Sequence, residues 1–182
     1  MGFVVLVILI VVIAYVAFCY NELVTSRNKV QEQWSGIDVQ LERRFDLIPN
    51  LVETVKGYTK HEEETLTKLT ELRTSWGNAK TVEEKGSLNN AFNTALRSIY
   101  AVAESYPDLK ANENFLQLQL ELKNTEDKIA SSRSAYNATV NLYNTKIDTV
   151  PSNFVANLFH FEKATLFQLE DEEARKNVKV SF

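Results

Sequence analysis

The chain has 182 residues and a net charge of −4, from 20 Lys and Arg against 24 Asp and Glu. That length suits one domain of ordinary size, and the acidic balance argues against a nucleic-acid-binding protein, which normally carries a basic surface. A single cysteine excludes an internal disulfide and a Cys-based zinc site. Five Gly and three Pro argue against a loop-rich or all-β domain.

Residues 3–20 are apolar or aromatic without exception. A helix needs roughly 18 or more such residues to cross the hydrocarbon core of a bilayer. A buried core helix would keep a polar stripe, and a cleaved signal peptide would have a basic start and a shorter apolar stretch. We therefore predict an uncleaved transmembrane anchor over residues 1–21, with the lipid bilayer as the partner of residues 3–20.

The residues that flank this span carry an orientation signal. Arg27 and Lys29 follow it closely, whereas its N-terminal side has no Lys or Arg. Basic residues are retained on the cytoplasmic side of a membrane. The pattern favours a cytoplasmic C-terminal domain.

Apolar residues recur at steps of three and four through residues 22–150, a spacing that is typical of amphipathic helices. No segment alternates with a period of two, so strands are not predicted. Prolines and Gly77-Asn78 divide the pattern into four segments: 22–48, 49–80, 81–110 and 111–150. The fold class predicted is all-α, with the transmembrane helix continuous with an antiparallel up-and-down four-helix bundle.

Two local signals refine this prediction. Thr81-Val82-Glu83-Glu84 is a capping-box pattern, which predicts the start of a helix. A short fifth helix is predicted after Pro151, around Ser152 to Phe159. It belongs to a C-terminal region, 151–182, that otherwise ends in a charged and loose tail.

Residues that could carry chemistry are scarce. His61 opens a sequence like the HExxH zinc motif, but Thr65 stands where the second histidine is required. The Glu-x-x-His pair of a di-iron bundle is missing before both His61 and His160. Two histidines and one cysteine leave almost no material for nucleophilic catalysis. We predict no enzyme, no catalytic residues, no cofactor and no metal.

One group of charged residues has two interpretations. It lies near the end of the first segment and in the fourth, and comprises Asp38, Arg43, Arg44, Asp46, Glu126 and Arg133. The group could orient a partner helix or a neighbouring protomer. Ion pairs on solvated helix faces are the commoner explanation of such residues.

Four phenylalanines in the C-terminal region also leave two interpretations open. They are Phe154, Phe159, Phe161 and Phe167. They could cover the open end of the bundle, or they could dock onto a neighbouring molecule or the membrane surface.

Several long sequence blocks occur in a fixed order. They are Tyr20-Asn21-Glu22-Leu23-Val24, Trp34-Ser35-Gly36-Ile37-Asp38-Val39-Gln40-Leu41, Arg43-Arg44-Phe45-Asp46-Leu47-Ile48-Pro49-Asn50-Leu51, Ser105-Tyr106-Pro107-Asp108-Leu109-Lys110-Ala111-Asn112, Glu126-Asp127-Lys128-Ile129-Ala130 and Arg133-Ser134-Ala135-Tyr136-Asn137. With these blocks the chain resembles the LemA family of bacterial membrane proteins over nearly its whole length.

The resemblance implies a single-pass protein of the bacterial inner membrane with a helical-bundle domain and no established enzymatic activity. A relative in magnetosome-forming bacteria is associated with making that organelle's membrane, which implies a role in membrane organisation. Some members have a Gly-Cys pair in a lipoprotein-like signal, and Phe18-Cys19 departs from it.

Two function hypotheses follow. The first is a membrane-anchored, non-enzymatic scaffold that forms homo-oligomers through its coiled-coil-like bundle. The second is a signalling or quality-control adaptor that binds another, unidentified protein through the same bundle. Self-crosslinks in cells would favour the scaffold, and a dominant heterologous partner would favour the adaptor.

Overall fold

The computed structural model describes residues 1–59 and 61–168. Every regular element in this part of the chain is an α-helix, which confirms the all-α prediction. The helices are α1 (Gly2–Asp46), α2 (Ile48–Lys56), α3 (Glu63–Asn78), α4 (Val82–Ser105), α5 (Pro107–Lys110), α6 (Glu113–Asp148) and α7 (Ser152–Leu158). The loose tail that the sequence predicts lies, from residue 169 onwards, outside the described residues.

Helix α1 is one uninterrupted helix of 45 residues that contains both the apolar span and most of the first amphipathic segment. Nothing in its sequence breaks a helix, so the predicted continuity is confirmed. The fourth segment is likewise one helix, α6, of 36 residues. The short helix predicted around Ser152 to Phe159 is α7.

The second and third predicted segments are each divided in two. Helix α2 ends at Lys56 and is capped by Gly57, whose backbone N–H bonds to the Glu53 carbonyl at 3.2 Å. The helix stops here because glycine has a low helix propensity. The third segment stops at Tyr106, which has φ −125° and ψ 88°. A residue that precedes proline is pushed out of the helical region, and Pro107 then suits the first turn of α5.

Helix α4 begins with the predicted capping box. The Thr81 hydroxyl oxygen accepts a hydrogen bond from the Glu84 backbone N–H at 3.1 Å, and the Glu84 carboxylate accepts one from the Thr81 N–H at 3.0 Å. Hydrogen bonds from the Lys80 and Thr81 backbone hold the pKa of the Glu84 carboxyl below its usual value. Two free donors of the first turn are thereby satisfied, which fixes where α4 starts.

The chain forms two compact units. The anchor unit comprises Met1–Val39 and Lys128–Leu166. The core unit comprises Gln40–Asp127 and, among the described residues, Phe167 and Gln168.

The core unit is built around one apolar cluster to which α1, α2, α3, α4, α5 and α6 all contribute. Within it the Phe45 ring meets Phe92 with centroids 5.2 Å apart, and it also stacks on the partly buried Trp76 with centroids 4.5 Å apart. Aromatic pairs at these separations add to the stability that burial of their area already supplies. This cluster corresponds to the predicted bundle core.

In the anchor unit, α1 and α6 pack side by side and antiparallel. Lys146 Nζ lies 2.7 Å from the Glu22 carboxylate, and the Trp34 ring lies 5.6 Å from the Tyr136 ring. Residue numbers therefore rise along one helix as they fall along the other. The buried apolar residues along this part of α1 are spaced by seven: Leu23, Val30 and Ile37. That spacing keeps one stripe of α1 turned towards its neighbour.

Candidate functional site

The apolar start of α1 is long enough and apolar enough to cross a membrane, and no other helix among the described residues is. Almost all of its side chains are exposed, with exposed fractions of 78% at Phe3 and 64% at Phe18. A core helix of a soluble protein would instead be mostly buried. Together with its length, this exposure supports membrane anchoring through residues 3–20.

The exposed apolar surface of α1 ends near two aromatic contacts of Tyr20. Cys19 and Leu23 are the first buried residues of α1. Between them, the Tyr20 ring meets Phe159 with centroids 4.8 Å apart and Phe161 with centroids 5.7 Å apart. Tyrosine and tryptophan are enriched where a membrane-spanning segment leaves the bilayer. The aromatic contacts lie at the end of the apolar run, where the buried part of α1 begins.

Side chains of α6 fix the segment that follows α7, residues 159–166. The Tyr136 hydroxyl donates to the Thr165 carbonyl at 2.8 Å, and the Tyr143 hydroxyl donates to the Glu162 carbonyl at 2.9 Å. Burial raises the pKa of the Tyr143 hydroxyl, which keeps it protonated as a donor. The two tyrosines thus hold an irregular segment against a regular helix.

Asn144 attaches this segment through two hydrogen bonds to one residue. Its amide nitrogen donates to the Ala164 carbonyl and its amide oxygen accepts from the Ala164 N–H, both at 2.9 Å. One side chain therefore satisfies both backbone groups of one residue, as a neighbouring strand would.

We expect Asn144→Leu to release the Ala164 amide, because leucine can neither accept nor donate a hydrogen bond. Hydrogen exchange measured on the detergent-solubilised protein should show protection at Ala164 reduced at least tenfold, which corresponds to about 1.4 kcal/mol. Asn141→Leu is the matched control, since Asn141 lies one turn earlier on α6 and is exposed. Equal protection in both variants would contradict this role of Asn144.

In the core unit, Arg44 is buried at 2% exposure and is linked to two neighbouring helices. Its guanidinium donates to the Asn89 amide oxygen at 2.8 Å and to the Asn93 amide oxygen at 2.6 Å, both on α4. It also forms an ion pair with Glu126 on α6. A single side chain of α1 therefore fixes the register of α4 and of α6 against it.

The electrostatics of this network follow from burial. Burial lowers the pKa of the Arg44 guanidinium, and the charge of Glu126 opposes that change. The Phe92 ring supplies further compensation, because the guanidinium carbon lies 4.8 Å from its centroid. Burial also raises the pKa of the nearby Tyr100 hydroxyl. The network is suited to holding a charge in place.

Comparison with known proteins bears on the apolar span and on the buried Arg44 network. Residues 33–182 match the sequence profile of the LemA family. The chain belongs to the LemA family. The match begins after the apolar span and includes Arg44, Asn89 and Glu126, so the buried network lies within the part that defines the family.

Three relatives are similar to this chain over most of its length. Protein LemA of Metamycoplasma hominis is 29% identical over 154 residues, which cover 84% of this chain and 70% of the relative. Magnetosome protein MamQ 2 of Paramagnetospirillum magneticum is 26% identical over 186 residues, or 86% of this chain and 68% of the relative. Magnetosome protein MamQ of Magnetospirillum gryphiswaldense is 25% identical over 194 residues, or 89% and 71%.

The structure separates the charged residues that the sequence groups together. Arg44 and Glu126 meet, but Arg44 is buried, so the interpretation as a pair on a solvated face is wrong for it. That interpretation holds for Arg43 with Glu121, at 2.8 Å on the surface. Asp46 approaches Arg73 at 3.9 Å on the surface. Asp38 and Arg133 belong to the anchor unit.

Asn89 and Asn93 of this network are absent from the residues singled out in the sequence. A signal for them exists, because Asn89 lies three residues before the buried Phe92 and seven before the buried Leu96. It therefore occupies an apolar stripe position of α4. A polar residue in such a stripe indicates a buried partner.

The candidate ligand residues do not assemble in this LemA-family chain. No group of three or more His, Cys, Asp or Glu side chains that could hold a metal ion occurs among the described residues. His61 precedes α3, which begins at Glu63, so it is not on the helix that an HExxH site requires. The names of the family and of its relatives are not those of enzymes. The absence of catalytic and cofactor-binding residues stays a prediction.

Proposed function

We propose that this chain is a membrane-anchored, non-enzymatic scaffold that self-associates and organises the membrane to which it is attached. The observation that carries the proposal is α1, which continues as one helix from a segment of bilayer length into the buried core of both units. The proposed site is the inner membrane of a bacterial cell, with the C-terminal domain in the cytoplasm, as Arg27 and Lys29 favour. The relatives named as magnetosome proteins support the role in membrane organisation.

The surface proposed for self-association lies on α6 in the core unit. Leu116 and Leu120, one turn apart, are 48% and 59% exposed. Glu113 and Lys123 flank them at steps of three, so all four residues lie on one face of the helix. We call this set the α6 stripe.

The charge pattern of the α6 stripe favours a second copy of this chain as its partner. If two stripes pair antiparallel, Leu116 of one copy meets Leu120 of the other, and Glu113 meets Lys123. Both ends of such a contact then bring opposite charges together. A two-fold dimer requires this kind of self-complementary surface.

We expect the double substitution Leu116→Gln with Leu120→Gln to weaken self-association at least tenfold, because it removes the apolar centre of the contact. Mass photometry on protein in phosphatidylcholine nanodiscs or mild detergent would measure the oligomeric state over a concentration series. Leu142→Gln is the matched control, since Leu142 is an exposed leucine of the same helix but lies in the anchor unit.

Charge exchange tests the same contact in a second way. Glu113→Lys alone should weaken association, and Glu113→Lys with Lys123→Glu should restore it, because the pairing of opposite charges is regained. A wild-type protein that stays monomeric at every concentration would contradict the scaffold. An engineered cysteine at Val39, probed in intact cells with a membrane-impermeant maleimide, would show on which side of the membrane the domain lies.

A further inference from the structure

A second apolar surface lies in the anchor unit, on α7 and the turn before it. Its side chains are exposed although they are large and apolar. They are Val150 at 72%, Phe154 at 68%, Leu158 at 67% and Phe159 at 47%. Phe154 and Leu158 are four residues apart on α7 and therefore lie on one face of that helix, with Val150 before it and Phe159 directly after it, and we call the set the α7 face. Contiguous exposed apolar residues mark an interaction surface more often than scattered ones do.

The other side of α7 is packed within the anchor unit. Val155 and Ala156 are buried, and the Ala156 carbonyl accepts a hydrogen bond from the Phe161 N–H at 2.9 Å. Before the helix, the Ser152 hydroxyl donates to the Lys146 carbonyl at 2.6 Å, which attaches α7 to the end of α6. The α7 face is therefore presented by a helix with a fixed orientation.

The position of α7 along α1 identifies what meets this face. Phe159, at the C-terminal end of α7, packs on Tyr20 with centroids 4.8 Å apart. Tyr20 is the last residue of the apolar run that spans the bilayer. Phe161 continues the contact towards Arg27, whose guanidinium carbon lies 5.4 Å from the Phe161 centroid. Helix α7 thus lies at the level where α1 leaves the hydrocarbon and its first charged residues begin.

The charges near the α7 face do not form a basic patch that would attract anionic lipid. Its attraction to a bilayer would therefore come from insertion of its apolar side chains. Lys163 pairs with Asp148 at 2.8 Å, and Lys146 pairs with Glu22 at 2.7 Å. Electrostatic attraction to anionic lipid requires clusters of several uncompensated basic residues, and these two lysines are compensated.

The geometry points to α7 as an interfacial helix: Phe154, Leu158 and Phe159 insert into the boundary between headgroups and acyl chains of the same bilayer that α1 crosses. An apolar face of this kind reaches about 5–10 Å into that boundary. The anchor unit is then held by two attachments, the span and the α7 face, which restrict the tilt of α1 in the membrane. This inference rests on the proposed membrane anchoring through residues 3–20.

The test uses the full chain in nanodiscs of phosphatidylcholine, with one copy per disc. In a Cys19→Ala background, an environment-sensitive fluorophore is attached to a single engineered cysteine at Leu158, at Phe18 or at Val39. Phe18 reports the hydrocarbon. Val39 is an exposed residue of α1, and at about 1.5 Å per residue it lies roughly 28 Å beyond Tyr20 along the helix. Brominated lipids then quench labels in the bilayer, and aqueous iodide quenches labels in water.

We expect the label at position 158 to behave as the one at 18 does, with quenching by brominated lipid at least threefold stronger than at 39 and with protection from iodide. The reverse result, iodide quenching at 158 equal to that at 39, would overturn the inference. Protection from iodide without lipid quenching would also overturn it, because another protein surface would then cover the face. Failure of lipid quenching at position 18 would refute the anchor itself, so the two failures are distinguishable.

Discussion

Arg44→Ala is expected to lower the free energy of unfolding by about 3–5 kcal/mol, the range found when one partner of a buried charge pair is removed. The reason is that three groups lose their partner together: the Asn89 amide, which is fully buried, the Asn93 amide and the Glu126 carboxylate. Glu126 is partly exposed and can turn to water, so we expect the loss to lie at the lower end of the range. Urea unfolding in mild detergent, followed by tryptophan fluorescence, would measure the change.

Arg43→Ala is the matched control. Arg43 is the neighbouring residue, has the same side chain and also forms an ion pair, with Glu121 at 2.8 Å, but it is 53% exposed. An exposed pair of this kind contributes about 0–1 kcal/mol. Similar losses in the two variants would show that the Arg44 network does not fix the packing of α4 and α6. Arg44→Lys should lose less stability than Arg44→Ala, because lysine keeps the positive charge. It should still be less stable than the wild type, because an ammonium group lacks the planar guanidinium that reaches both asparagines.

Phe167→Ala is the second substitution with a large expected effect, a loss of about 3–5 kcal/mol. Phe167 is only 1% exposed although it lies outside any helix, nine residues after the end of α7. Its ring covers Gly86 on α4, where a Cβ would come within 3.3 Å of the Phe167 Cε2 atom. Removing the ring would therefore leave a cavity over the first turns of α4.

Two further variants separate packing from other causes. Phe167→Leu keeps most of the apolar volume and should lose less than about 1.5 kcal/mol. Gly86→Val should be destabilising in the wild type, since the ring leaves little room for a branched side chain, and less so when it is combined with Phe167→Ala. The same unfolding assay measures all of these variants. Additive effects in the double variant would contradict direct contact between residues 86 and 167.

Periodicity in the sequence predicts the long helices correctly because their burial is decided locally, one turn after another. Helices α1 and α6 carry apolar residues at helical spacing with no glycine or proline that stops them, and the capping box places the start of α4. The breaks at Gly57 and Tyr106 are harder to predict. Each depends on one local residue, a glycine in the first case and the residue before a proline in the second.

The burial of the site residues is harder to predict from the sequence than the long helices are. Arg44 follows Ile37 by seven residues and precedes Ile48 by four, so it occupies a stripe position, and this spacing is a signal of burial. Charge composition alone favours the surface interpretation, which is correct for Arg43. The burial of Phe167 has no comparable signal, because that residue is outside any helix and its neighbour, Gly86, is 81 positions earlier. Contacts of this separation are properties of the folded chain and not of local spacing.

The antiparallel pairing of α1 and α6 also has a consequence for biosynthesis. Glu22 and the Lys146 that binds it are 124 residues apart. At about 5–20 residues per second, the ribosome needs roughly 6–25 s to deliver α6 after this part of α1 has emerged. Asn89, the α4 partner of Arg44, follows Arg44 by only 45 residues. In the nascent chain, α1 should therefore pack against α4 first. Until α6 has been synthesised, Leu23, Val30 and Ile37 lack their packing partner and stay accessible to chaperones.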